Sequence, residues 1–148
     1  MVAPWYFGVT FERYYKGTAP WMTLPPINDH GIHRYDLLKE KMAATNPINP
    51  VLEMMSQALR SHRVWIVGGL SFLPAGQTPP LLAPAPFDPV GWSEAAYTTA
   101  WSMQAAHLLQ TRALRAEIVP LPGDQLINPY ENAQLILVQG WKAPDADR

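Results

Sequence analysis

The stretch Arg63–Gly69 constrains the fold more than any other part of the chain. It contains a short apolar run, Val64–Val67, which combines β-branched residues with a tryptophan and is closed by a pair of glycines. This pattern is typical of a fully buried strand in a parallel sheet. Helical patterns precede it at Pro50–His62 and follow it at Trp92–Arg112. The alternation of helix and strand predicts an α/β layered fold.

The composition predicts one folded domain with a substantial core. The chain has 148 residues, of which 48% are hydrophobic and only 16% are charged, a charged share below that of most globular domains. A net charge of −1 gives no electrostatic footprint for nucleic acid. The sequence has no cysteine, which excludes a thiol nucleophile, a disulfide framework and a cysteine metal site. We therefore expect a single α/β domain over residues 1–148 with no nucleic-acid partner.

The other segments extend the predicted alternation of helices and strands. Met1–Pro4 is typical of the tail of a truncated strand. Trp5–Tyr15 also allows a strand, but its aromatic residues recur at helical spacing, which favours a helix. Glu94–Thr111 has the clearest amphipathic face. The last two predicted strands are Ala116–Pro122 and Ala133–Trp141, and no helix is predicted between them.

Right-handed crossovers in this order place helices on both faces of the sheet. We therefore predict a three-layer, Rossmann-like sandwich with a small, mostly parallel sheet. The last strand is expected to pair antiparallel at an edge. Residues 72–91 form a Pro-rich loop, either functional or a packing cover over the sheet, and residues 142–148 form a polar tail.

The densest polar cluster begins at Asp29 and includes the candidate ligand-binding residues His30, His33, Arg34 and Asp36. Two histidines three residues apart, with a carboxylate, could bind a metal ion. The spacing matches no recognised metal motif, however, and a loop-to-helix junction with solvated histidines is the more common structure. We predict no metal and no cofactor.

Two further positions are candidates for ligand binding. Gly68 and Gly69 follow the central strand, where ligands bind in open α/β sheets. The phosphate-binding glycine patterns are missing, so a backbone role with positive φ is the stronger interpretation. Glu131 could be a carboxylate at a binding edge, or it could bond a backbone N–H in its own turn. We identify no catalytic residue in the chain.

Four groups of residues, taken together, resemble a known protein family. They are Pro4–Gly8 with Phe11–Gly17, Trp21–Pro26 with Asp29–His30 and His33–Leu37, Arg63–Gly68, and Asn128–Asn132 with Gly140–Trp141. In these residues the chain resembles the C-terminal extracytoplasmic domain of bacterial integral-membrane glycosyltransferases of the dolichyl-phosphate-mannose mannosyltransferase-like group.

The resemblance implies that the chain is a fragment of a longer membrane protein and begins inside its first strand. Enzymes of this family take sugar from a polyprenyl-phosphate donor and carry their catalytic acid on a loop near the first transmembrane helices. The resemblance therefore implies a non-catalytic accessory domain on the extracytoplasmic face of the bacterial inner membrane. Its partners would be the transmembrane portion of the parent and a glycan or polyprenyl-phosphate-sugar substrate. The alternative is a small Rossmann-like enzyme that binds a nucleotide or a metal.

Overall fold

The computed structural model describes residues 1–86, 93–120 and 133–142. Its elements in chain order are β1 (Val2–Ala3), α1 (Phe7–Tyr14), α2 (Tyr35–Ala43), α3 (Asn49–Ser61), β2 (Arg63–Gly68), α4 (Glu94–Arg112), β3 (Ala113–Val119) and β4 (Leu135–Trp141). These elements confirm the predicted helices and strands to within a few residues at their ends, and they form a mixed α/β fold. Within the described ranges, no helix is both long enough and apolar enough to cross a membrane.

The four strands of the described chain form one open sheet in the order β1–β2–β4–β3. β1 runs parallel to β2, whereas β4 is antiparallel to both of its neighbours. The predicted antiparallel direction of the last strand is confirmed, but its predicted edge position is wrong. An interior position allows β4 to bury Ile136 and Val138, which an edge strand does less well. The sheet is mixed and not mostly parallel, because two of its three pairings are antiparallel.

The sheet has one packed face and one open face. Along β2, Val64 and Ile66 are 6% and 0% exposed, whereas Trp65 between them is 37% exposed. The packed face forms a single apolar core with side chains from α2, α3 and α4. The described residues cover the Trp65 side only in part, through α1. The predicted three-layer sandwich is therefore not confirmed, since the helical layer is complete on one face alone.

The first strand is short but paired on both sides. Val2 aligns with Val67 of β2 and forms an isolated parallel bridge with Thr23. The N–H of Val2 donates to the carbonyl of Met22 (2.9 Å), and the N–H of Leu24 donates to the carbonyl of Val2 (3.0 Å). These bonds fix the segment from Met22 to Leu24 beside β1, and they hold the amino end of the chain against the sheet.

The described part of the Pro-rich loop, residues 72–86, lies along α4. The side-chain amide of Gln104 donates to the carbonyl of Pro80 (2.8 Å), and that of Gln110 donates to the carbonyl of Leu73 (3.0 Å). The N–H of Ala85 donates to the backbone carbonyl of Met42 in α2 (2.7 Å). These hydrogen bonds attach the described residues of the loop to α4 and α2, and its role as a functional loop or as a packing cover over the sheet stays a prediction. Residues 87–91 of the loop and 143–148 of the polar tail lie outside the described ranges.

Candidate functional site

Arg34 joins the two carboxylates of the predicted polar cluster. Its Nη2 and Nε contact the oxygens of Asp36 at 2.6 and 2.8 Å, and its Nη1 contacts Asp29. Hydrogen bonds from Arg34 lower the pKa of Asp36 to about 2. The N–H of Gly31, and then Arg34, lower the pKa of Asp29, while both carboxylates raise the pKa of Arg34. This arrangement ties the loop to the first turn of α2, and the single positive charge of Arg34 is shared between the two negative carboxylates.

The two histidines of the cluster lie in different surroundings. His30 is 9% exposed, and its ring packs on Trp21 with centroids 4.7 Å apart. Burial lowers the pKa of His30, against a smaller opposing effect of the nearby carboxylates. The exposed His33 lies edge-on to Trp5, with ring centroids 6.0 Å apart. In the described part of the chain, no group of three or more histidines or carboxylates is arranged to hold a metal ion.

The glycine pair divides into two different positions. Gly68 has a φ of +108°, and a Cβ built there would lie 1.6 Å from the carbonyl oxygen of Ala3. Only glycine allows β1 to approach β2 this closely. Gly69 has open space around it, and its N–H donates to the same Ala3 oxygen (2.9 Å). The backbone role is therefore confirmed for Gly68. The third candidate, Glu131, lies outside the described residues.

A concave surface lies elsewhere, where α1 and the segment up to Trp21 face the edge of β2 and part of α3. Two adjoining concavities, of about 520 and 350 Å³, share Phe11, Tyr15 and Val67 in their walls. We call them together the aromatic groove. The larger is also lined by Trp21 and Trp65. The larger concavity runs along the edge of β2 that the short strand β1 leaves uncovered. Met1 and residues from both faces of β2 contribute to its walls.

The walls of the aromatic groove are held by contacts among the aromatic rings. Phe11 and Tyr15 stack, with centroids 4.7 Å apart and planes 18° apart. Phe11 also meets Trp21 edge-on at 4.9 Å. The Tyr15 hydroxyl accepts the N–H of Ala19 (3.1 Å), which fixes the segment that leads to Trp21. Large rigid side chains that are already in contact lose little entropy when a ligand binds.

Polar groups lie at the rim of the aromatic groove. His62 and Arg63 are exposed and line the larger concavity. The guanidinium of Arg63 lies over the Trp65 ring, 5.8 Å from its centroid. The amino group of Met1 donates to the carbonyl of Trp65 (2.7 Å), and burial lowers its pKa from 8.0 to about 6. The aromatic groove is thus a mostly apolar concavity that has the exposed Arg63 among its lining residues.

The sequence candidates and the aromatic groove share no residue. Helical spacing of Phe7, Phe11 and Tyr15 was visible in the sequence, but it was interpreted only as evidence for a helix. Trp65 was expected in a strand buried on both faces. A groove of this kind needs α1 and β2 to be side by side, which only the tertiary fold provides. Comparison with known proteins finds no matching family model, curated protein or solved structure.

Proposed function

We propose that this chain is a non-catalytic binding module of a membrane glycosyltransferase, and that its aromatic groove holds the apolar part of a polyprenyl-phosphate-linked substrate. The observation that carries the proposal is the groove itself, an apolar channel walled by Phe11, Tyr15, Trp21 and Trp65. Sites for apolar ligands are concave, mostly apolar and provided with a few placed polar groups. The family-like segments described above supply the glycosyltransferase context.

The rim of the groove is suited to the charged end of such a ligand. Arg63 and His62 lie where the apolar wall meets solvent. A guanidinium binds phosphate oxygens through paired N–H donors. A prenyl chain in the groove would therefore direct its phosphate towards these two side chains. The sugar would remain outside, where a catalytic group of the parent could reach it.

The proposed partner is the transmembrane portion of the parent protein, on the extracytoplasmic face of the bacterial inner membrane. The face of the sheet that carries Trp65 is open in the described residues and borders the aromatic groove. Contact with the membrane portion on this side would enclose the groove between the two parts. It would also supply the second covering layer that a Rossmann-like three-layer sandwich requires.

Titration calorimetry of the whole chain with farnesyl phosphate tests this function. Farnesyl phosphate is a short polyprenyl phosphate that carries both the apolar tail and the phosphate. We expect saturable binding, with weaker binding of farnesol, which lacks the phosphate. Trp65→Ala should weaken binding by roughly tenfold or more, because it removes one wall of the groove.

Phe72→Ala is the matched control. Phe72 is an exposed aromatic side chain in the Pro-rich loop, 49% exposed and outside the groove walls. Its removal should leave the affinity unchanged. The absence of saturable binding, or equal losses for Trp65→Ala and Phe72→Ala, would reject the groove as the site.

A further inference from the structure

The strand β3 forms the edge of the sheet opposite β1 and carries exposed apolar side chains. It pairs with β4 on one side, and no other strand of the described residues pairs with it. Leu114 and Ile118 are 64% and 65% exposed. Long edge strands with exposed apolar residues tend to pair with another strand, and proteins normally block them with charges or bulges. The arrangement of charge on β3 is therefore informative.

The seven residues of β3 are chemically self-complementary about their centre. Ala116 is the middle residue of Ala113–Val119. Counting outwards from it, Arg115 is matched by Glu117 and Leu114 is matched by Ile118. If a second copy of β3 lies antiparallel beside the first, with Ala116 opposite Ala116, every basic side chain faces an acidic one. Every large apolar side chain then faces another apolar one.

The backbone of β3 has the phase that this pairing needs. The N–H of Gly68 donates to the carbonyl of Gln134, the residue that lies opposite it in the register of β2 and β4. Because backbone groups alternate in direction along a strand, the even-numbered residues from Gln134 to Val138 direct theirs towards β2. Odd-numbered residues of β4 then face β3, where Gln139 lies opposite Arg115. Within β3 this leaves the backbone groups of Ala116 and Ile118 directed to the free edge. The alternation ends at Gly140, which has a φ of +71°, because beyond it the N–H of the even-numbered Lys142 donates to the carbonyl of Arg112 (2.7 Å). Even-numbered residues of both copies meet in the register centred on Ala116.

We propose that β3 is a homodimerisation edge, at which two copies pair antiparallel around Ala116 and join their sheets into one. The contact is isologous, as the interfaces of two-fold dimers are. In this register Leu114 of one copy lies opposite Ile118 of the other, and the free backbone groups of the two Ala116 residues face each other. Arg115 and Glu117 occupy the non-hydrogen-bonded positions, where opposing side chains are closer together.

Within one copy the charged residues are already prepared for this contact. Nη2 of Arg115 lies 2.5 Å from Oε2 of Glu117, and the two side chains are 67% and 37% exposed. In the dimer Arg115 of each copy lies opposite Glu117 of the other. Each guanidinium then has one carboxylate beside it in its own strand and a second carboxylate across the interface. The contact also covers the two most exposed apolar side chains of the edge.

The dimer edge is independent of the proposed binding function. The aromatic groove borders β1 and β2, at the other side of the sheet from β3. Dimerisation through β3 therefore leaves the groove open, so a failed dimer test would not count against ligand binding, and the reverse also holds.

Sedimentation velocity of the whole chain over a concentration series tests the dimer. We expect a monomer–dimer equilibrium. Glu117→Arg places like charges opposite each other in both symmetry-related pairs, and Arg115→Glu does the same with the opposite sign. Each variant should raise the dimer dissociation constant by roughly tenfold or more. Glu53→Arg, a charge reversal at an exposed position of α3, is the matched control and should not change it.

Two rescue experiments separate this contact from general effects of charge. The double variant Arg115→Glu with Glu117→Arg exchanges the charges and restores complementarity, so the dimer should return. Mixing the two single variants should give heterodimers, because one supplies two acidic and the other two basic side chains. Circular dichroism checks that each variant is folded. A wild-type chain that stays monomeric, or a dimer that neither single variant weakens, would overturn the proposal, as would failure of both rescues.

Discussion

The two faces of β2 use neighbouring residues in opposite ways. Val64 and Ile66 lie in the core, where α3 packs on the sheet, whereas Trp65 is partly in solvent and lines the aromatic groove. All three are large and apolar, so composition alone does not distinguish them. The difference shows that an unbroken apolar run can serve two purposes, with one face packed in the core and the other lining a concave surface.

The largest effect should come from substitutions that test the two faces against each other. Ile66→Ala should lower the free energy of unfolding by about 2–5 kcal/mol, because it leaves a cavity in a closely packed core. Trp65→Ala should cost roughly 1–2 kcal/mol, although it removes more atoms, since its surface is 37% exposed. Urea unfolding followed by circular dichroism measures both. Equal costs would show that the open face is buried in solution.

A smaller effect concerns pH. Burial lowers the pKa of the Met1 amine from 8.0 to about 6, and it also lowers the pKa of His30. The unfolded chain therefore binds more protons than the folded chain between pH 6 and pH 8. Stability should rise with pH across this window, by about 2–3 kcal/mol from the amine. Urea unfolding at a series of pH values measures this rise.

Acetylation of the amino terminus provides the control for this rise. The acetylated chain has no titrating amine, so it should lose the rise between pH 6 and pH 8, whereas the contribution of His30, which lies below its ordinary pKa of 6.5, should remain. An unchanged pH dependence after acetylation would contradict burial of the amine beside Trp65.

The smallest effect should come from the two arginines that lie over tryptophan rings on different parts of the molecule. The guanidinium of Arg60 lies 5.5 Å from the Trp141 ring, and that of Arg63 lies 5.8 Å from the Trp65 ring. We expect Arg60→Gln and Arg63→Gln each to cost about 0.5–1 kcal/mol, with the larger cost for Arg60, because Trp141 packs against the core. Thermal unfolding of the pair decides this, and a larger loss for Arg63 would reverse the comparison.

Local pattern was sufficient to predict most of the helices and strands. Apolar spacing located α3 and α4, and the β-branched run located β2. The position of β4 could not be predicted, because strand order depends on contacts between residues far apart in sequence. For the same reason the groove between α1 and β2 was missed. The polar cluster was visible, but not that Arg34 would occupy both carboxylates, since this depends on the path of the loop.

The path of the Pro-rich loop along α4 fixes where that loop can change in length. The loop runs antiparallel to the helix: Leu73, Pro80 and Ala83 accept hydrogen bonds from Gln110, Gln104 and Tyr97 in that order. The last two helix anchors are about 10 Å apart along the axis, which the extended segment from Pro80 to Ala83 just spans. Gln104 and Gln110 are about 9 Å apart along the axis, whereas the chain from Leu73 to Pro80 could reach about 23 Å. The segment from Leu73 to Pro80 is therefore longer than its span requires and can accommodate an insertion. The segment from Pro80 to Ala83 is fully extended, so a deletion there would break one of its hydrogen bonds to α4.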